Sequence, residues 1–130
     1  MKFKLLFILL IFVTTNSYSV TCSDISNEVN KNLINRINKN IEKNYNTSDI
    51  FLTRTFCDKN SNGESRLNYS YDVNNHDYIS SEGRQHMVKE FCSKEQIKIL
   101  WGIVTEIKYH YFKEGKKKMA EMSFFENTCK

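Results

Sequence analysis

Asp58, Asn60 and Asn62, with Gly63 directly after, stand where a calcium loop places its first oxygen ligands and its turn glycine. Such a loop completes its cage with a bidentate carboxylate at the twelfth position. Counted from Asp58, that position holds Tyr69, which has no carboxylate. Lys59 and Arg66 offset the charge of Asp58 and Glu64, and the flanking segments read as strands rather than helices. CDKNSNGES (residues 57–65) therefore reads as a hairpin loop, with Asn62 and Gly63 supplying the positive-φ residues. No residue is assigned as a metal ligand.

Three histidines are the other candidates for chemistry. Two imidazoles converging on one phosphate, beside Lys89, Lys108 or Lys113, would make a small hydrolase or nuclease by general acid–base catalysis. No local spacing brings the histidines together. His76 falls in a polar loop and His86 on a polar helix face. His110 falls on the strand face opposite Tyr109 and Tyr111, which predicts exposure to solvent. No His-x-x-His or His-Glu-x-x-His spacing offers a zinc site, and neither a nucleophile elbow nor a glycine-rich phosphate loop is present. Glu106 and Glu121 could meet across the last hairpin; the other carboxylates are scattered. No catalytic or cofactor-binding residue is assigned, and the chain reads as non-enzymatic with no cofactor.

The cysteines, Cys22, Cys57, Cys92 and Cys129, are explained better as bridges than as nucleophiles. Four cysteines allow three connectivities. No Cys-x-x-Cys pair occurs. Their spacings of 35, 35 and 37 suggest a repeat, but the segments that follow them do not resemble one another. Each bridge would add about 2–4 kcal/mol to a domain this small.

An oxidising destination agrees with the N-terminus. MKFKLLFILLIFVTTNSYSV opens with Lys2 and Lys4 and continues with an apolar run over residues 5–13, too short to span a bilayer. Ser17 and Ser19 then occupy the −3 and −1 positions of a signal-peptidase site. This predicts a signal peptide over residues 1–19, cleavage after Ser19 and one small domain over residues 20–130. Cys22 does not fit a lipid-modified residue, because Thr21 precedes it and no leucine stands three before it. Without Lys2 and Lys4, 17 basic residues face 15 acidic ones, and the net charge falls from +4 to +2. That is too little for a nucleic-acid binder. No second apolar run is long enough for membrane insertion.

The elements that must position these residues follow from periodicity. Ile25, Val29, Leu33, Ile34, Ile37, Ile41 and Tyr45 recur at steps of three and four, which predicts an amphipathic helix capped by Ser23 or Asp24, its polar face rich in asparagine. DIFLTRTFC (residues 49–57) predicts a strand. RLNYSYDV (residues 66–73) alternates, with Leu67, Tyr69, Tyr71 and Val73 on one face. Ser80 or Ser81 starts a helix to about Cys92. A Ser93/Gln96 capping box starts a short one through Trp101, stopped by Gly102. Residues 103–112 form a strand, KEGK turns the chain, and residues 118–127 return it with Met122 and Phe124 inward. The order α-β-β-α-α-β-β predicts an α+β fold: a four-stranded antiparallel sheet with helices packed on one face.

This arrangement resembles a loose group of small exported bacterial proteins of unknown function. They share a Tyr-x-Tyr strand, a helix ending in cysteine, a glycine, a second Tyr-x-Tyr strand, a turn glycine and a cysteine near the C-terminus. Here these are Tyr69 and Tyr71, Cys92, Gly102, Tyr109 and Tyr111, Gly115 and Cys129. The resemblance covers about residues 49–129. It implies a Cys92–Cys129 bridge, which leaves Cys22–Cys57, and it brings no activity with it. The long asparagine-rich helix and the second cysteine pair are departures from the group.

The functional expectation is a small secreted or periplasmic, monomeric, non-enzymatic binding or structural module with a protein or glycan partner. One alternative is an inhibitor of a secreted or periplasmic hydrolase, presenting the 58–64 or 113–117 loop. Another is a hydrolase or nuclease using His110 or His86. The GKKK cluster (residues 115–118) reads as a solvated hairpin tip. Tyr45, Tyr78 and Trp101 fall at spacings more typical of a core than of a binding surface.

Overall fold

The computed structural model describes residues 20–95 and 97–130. The predicted signal peptide with its cleavage after Ser19, and the Gln96 half of the expected capping box, lie outside the described residues.

The asparagine-rich segment folds in three consecutive helical parts: α1 (Cys22–Glu28), a π-helical turn (Val29–Leu33) and α2 (Ile34–Tyr45). Its N-cap is Thr21, not Ser23 or Asp24. Thr21 Oγ1 accepts the Asp24 N–H at 3.2 Å while the Thr21 N–H donates to Asp24 Oδ2 at 2.9 Å. Asp24 is thus the third helical residue of a capping box that satisfies two otherwise orphaned amides. Asn46, in the left-handed region at φ 54°, ends α2.

The π turn has a geometric consequence. Residues eight apart on a regular helix overshoot two full turns by about 80°. The extra residue of a π turn absorbs that overshoot, and Asn30 and Asn38 face the same strand. That strand is β1 (Ile50–Lys59), an edge of the sheet. Asn30 Oδ1 accepts the Thr55 N–H at 2.7 Å, and Asn30 Nδ2 donates to the Thr55 carbonyl at 2.9 Å. Asn38 does the same at Leu52, at 2.6 and 3.0 Å. Two carboxamides so occupy backbone groups that a further strand would otherwise use.

β1 pairs antiparallel with β2 (Ser65–Val73), with a bulge between Leu52 and Arg54. The chain then crosses over through α3 (Ser81–Cys92) and the short α4 (Ile97–Leu100) to β3 (Glu106–Lys113), which pairs with β2 in parallel. β4 (Lys117–Phe124) returns antiparallel to β3, and a 3₁₀ turn (Glu126–Cys129) follows. The sheet is therefore mixed, in the order β1-β2-β3-β4, and not antiparallel throughout. The reason lies in the connection: two antiparallel neighbours need only a tight turn, whereas a helical crossover of some thirty residues returns the chain in the same direction. The expected α-β-β-α-α-β-β order is likewise refined by the π turn within the first helical segment and the terminal 3₁₀ turn. β3 starts at Glu106; residues 103–105 belong to the turn before it.

Parallel register sets the two Tyr-x-Tyr motifs side by side, Tyr69 against Tyr109 and Tyr71 against Tyr111. Tyr71 packs against both Tyr109 and Tyr111, with ring centroids 5.3 and 5.2 Å away. The helices lie on this face. Ile25, Val29 and Leu33 are buried over β1 and β2, and Phe91 of α3 stacks on Phe124 at 4.0 Å. Disulfides join Cys22 to Cys57 and Cys92 to Cys129, tying the start of α1 to β1 and the end of α3 to the C-terminal turn. Among the described residues no helix is long and apolar enough to cross a membrane.

Candidate ligand cleft

α2 is strongly amphipathic, yet it has no fully buried residue. Ile34, Ile37 and Ile41 are only half-buried against the core. Ile37 and Ile41 stop short of full burial because a cleft of about 200 Å³ lies between α2, α3 and the tyrosine face of the sheet. Ile37 and Ile41 form one wall, Met87 and Phe91 the other, and Tyr69, Tyr71, Tyr109 and Tyr111 the floor. Tyr45 meets His86 edge-on at 5.4 Å, linking the C-terminal end of α2 to α3.

The floor is uncharged. Burial pushes the Tyr69 hydroxyl up to about 12 and pushes Tyr71, Tyr109 and Tyr111 well above the ordinary range. Tyr111 donates its hydroxyl proton to Met87 Sδ at 3.2 Å, tying the floor to α3. Polar groups stand along the same cleft: Arg36, Asn40 and Asn44 recur at four-residue steps on α2, with Glu90 and Lys94 opposite. Tyr45 is also raised, by burial and then by the nearby Glu90 carboxylate.

The residues singled out in the sequence lie elsewhere. In the 58–64 loop the side-chain oxygens of Asp58 and Asn60 are engaged within the protein. Both Asp58 oxygens accept from Arg66 at 2.8 Å, and this pairing holds the Asp58 carboxyl below its usual range. Asn60 Oδ1 accepts the amides of Asn62 and Glu64 at 3.0 Å, and the Gly63 N–H closes a turn on the Asn60 carbonyl at 2.9 Å. Gly63 alone has positive φ here, at 76°; Asn62 does not share it. Tyr69, at the twelfth position of the calcium pattern, is buried on the helix face of β2.

His110 is buried, contrary to its expected exposure. The face is the one alternation gives, but neighbouring side chains cover it. The ring stacks between Phe56 and Phe112, with centroids 5.8 and 6.5 Å away. Arg54 lies over Phe56 and Lys118 over Phe112. His110 Nε2 lies 2.8 Å from Asn68 Oδ1, whose amide nitrogen donates to Asp58 at 2.9 Å. Nε2 therefore carries the proton, and Nδ1 faces Glu121 at 3.8 Å. Burial, reinforced by Lys118 and Lys108, lowers the imidazole pKa below its ordinary value.

His86 lies on α3, beyond the opposite face of the sheet, and His76 pairs with Asp49 at 3.3 Å past the end of β2. The sheet stands between His86 and His110, so these two imidazoles do not converge. Glu106 and Glu121 do not pair either. Glu121 sits opposite His110 between Lys108 and Lys118, whereas buried Glu106 accepts from Ser123 at 2.7 Å and lies near Arg66. At the hairpin tip Lys113 pairs with Asp77. Tyr78 is three-quarters exposed, whereas Trp101 packs against Phe91. The cleft itself escaped sequence reasoning. Ile37 and Ile41 fall in the same stripe as Ile25, Val29 and Leu33, which periodicity assigns to the core.

The chain matches no family model, no curated protein and no solved structure.

Proposed function

We propose that this chain is a small exported, non-enzymatic binding module that holds an apolar ligand in the cleft between α2 and α3. The observation that carries the reading is the half-buried row of Ile37 and Ile41 above a neutral tyrosine floor. An amphipathic helix normally buries its apolar stripe against the core; this one keeps it at a cavity wall. A mostly apolar concavity with a few placed polar groups is the usual form of a small-molecule site. Two disulfides suit an oxidising compartment.

The test is titration with the neutral single-chain ligand decanol, monitored by isothermal titration calorimetry. One site per chain is expected, with binding lost in Ile41→Trp, whose indole fills the cavity. Near-ultraviolet circular dichroism monitors the fold of the variant. Absence of binding, or equal binding by a folded Ile41→Trp variant, contradicts the reading.

A further inference from the structure

The charged groups of the cleft are unevenly placed along it. Arg36 lies nine residues before Tyr45, about 14 Å along the α2 axis. Tyr45 marks the end that meets α3 at His86 and feels Glu90. Among the described residues of the lining, the one carboxylate, Glu90, is thus associated with the Tyr45 end, while α2 carries its cation two and a half turns away. Lys94, one helical turn after Glu90, is the second cation of the lining. Among the described lining residues two are cationic, Arg36 and Lys94, and one is anionic, Glu90. Arg36 has no ion pair or hydrogen bond with another described side chain, although it is only partly exposed. A guanidinium in that position presents a planar fork suited to a carboxylate.

Volume limits the apolar part of the ligand. A cavity of about 150 Å³ accepts a benzene molecule, and this one measures about 200 Å³. One ring or one short chain fits; two acyl chains do not. Resting on the cleft reading above, we infer that the ligand is a free single-chain or single-ring amphipathic carboxylate. Its apolar body lies over the tyrosine floor between Ile37, Ile41 and Met87, and its carboxylate pairs with Arg36.

The test compares decanoate with decanol by isothermal titration calorimetry at pH 7.5, below micelle-forming concentrations, in the wild type and in Arg36→Gln. The wild type is expected to bind decanoate about tenfold more tightly than decanol. Arg36→Gln should remove that preference and change decanol affinity less than about twofold. Equal affinity for acid and alcohol in the wild type, or a preference that survives Arg36→Gln, overturns the carboxylate inference and leaves the apolar cleft standing. If both ligands fail to bind, the cleft reading itself falls. Sedimentation of the free chain as a dimer that shields Ile41 would assign the cleft to a second copy and overturn the inference.

Discussion

The carboxamide of Asn38 meets Leu52 as a neighbouring strand would, accepting its N–H at 2.6 Å and donating to its carbonyl at 3.0 Å. Asn30 repeats the contact at Thr55. A helix that looks poorly suited to its fold, because asparagine is a mediocre helix former, uses two of those asparagines to finish the edge of the sheet.

Asn38→Ala and Asn30→Ala should each lower unfolding free energy by about 1–3 kcal/mol, since each strips backbone groups of their partner. Urea denaturation measures this. The double variant should also associate with rising concentration, because its edge strand is bare; light scattering would detect it. A monomeric double variant of wild-type stability would refute the edge-capping role.

His110 and Glu121 should give two separate pH windows. The folded His110 pKa is lowered by burial from its ordinary 6.5. Below that value the unfolded chain takes up a proton that the folded imidazole resists, so stability falls as pH drops below about 6.5 and levels off beneath the folded pKa. Lys118 and Lys108 hold Glu121 down at about 2, from an ordinary 4.5. Its contribution is complete above the ordinary value and is lost as pH falls towards 2. His110→Gln should flatten the first decline, and Glu121→Gln should flatten the second while deepening the first, because the Glu121 carboxylate favours the protonated imidazole; urea midpoints across pH 2–8 read both.

The Cys92–Cys129 bridge closes a separation of 37 residues. Replacing both cysteines by serine should cost about 2–4 kcal/mol. Hydrogen exchange should show the loss of protection centred on the 3₁₀ turn (Glu126–Cys129) and the end of α3. Unchanged stability would mean that the C-terminal turn is held by other contacts.

Gly115 has φ 72°, and a Cβ there would lie 3.0 Å from Asp72 Oδ2. Gly115→Ala should destabilise by about 1–2 kcal/mol. Gly63→Ala shares the positive φ but meets nothing within 4 Å, so it should cost less. Thermal denaturation of the pair reveals whether crowding at Asp72 adds to backbone strain.

Alternation within a strand is local, so the faces of Leu67, Tyr69, Tyr71 and Val73 were legible in the sequence. Strand direction is not local. Nothing in residues 66–73 or 103–112 distinguishes parallel from antiparallel pairing; only the path of the chain through α3 decides it. Alternation gives His110 its correct face but not its environment, because it reports orientation and not what Phe56 and Phe112 cover. Asn30 and Asn38 look like solvent residues until the π turn, which leaves no clear signature in VNKNL, brings them over one strand. The cleft is hidden for a related reason: Ile37 and Ile41 have the spacing of core residues, and only the separation of α2 from α3 leaves them half-open.

The most direct test of the binding role is methyl NMR of the isotope-labelled chain titrated with decanoate. Shifts concentrated at Ile37, Ile41 and Met87, saturating at one equivalent, are the predicted result. Shifts absent there, or centred instead on residues around Phe56 and Phe112 on the opposite face of the sheet, would contradict the account.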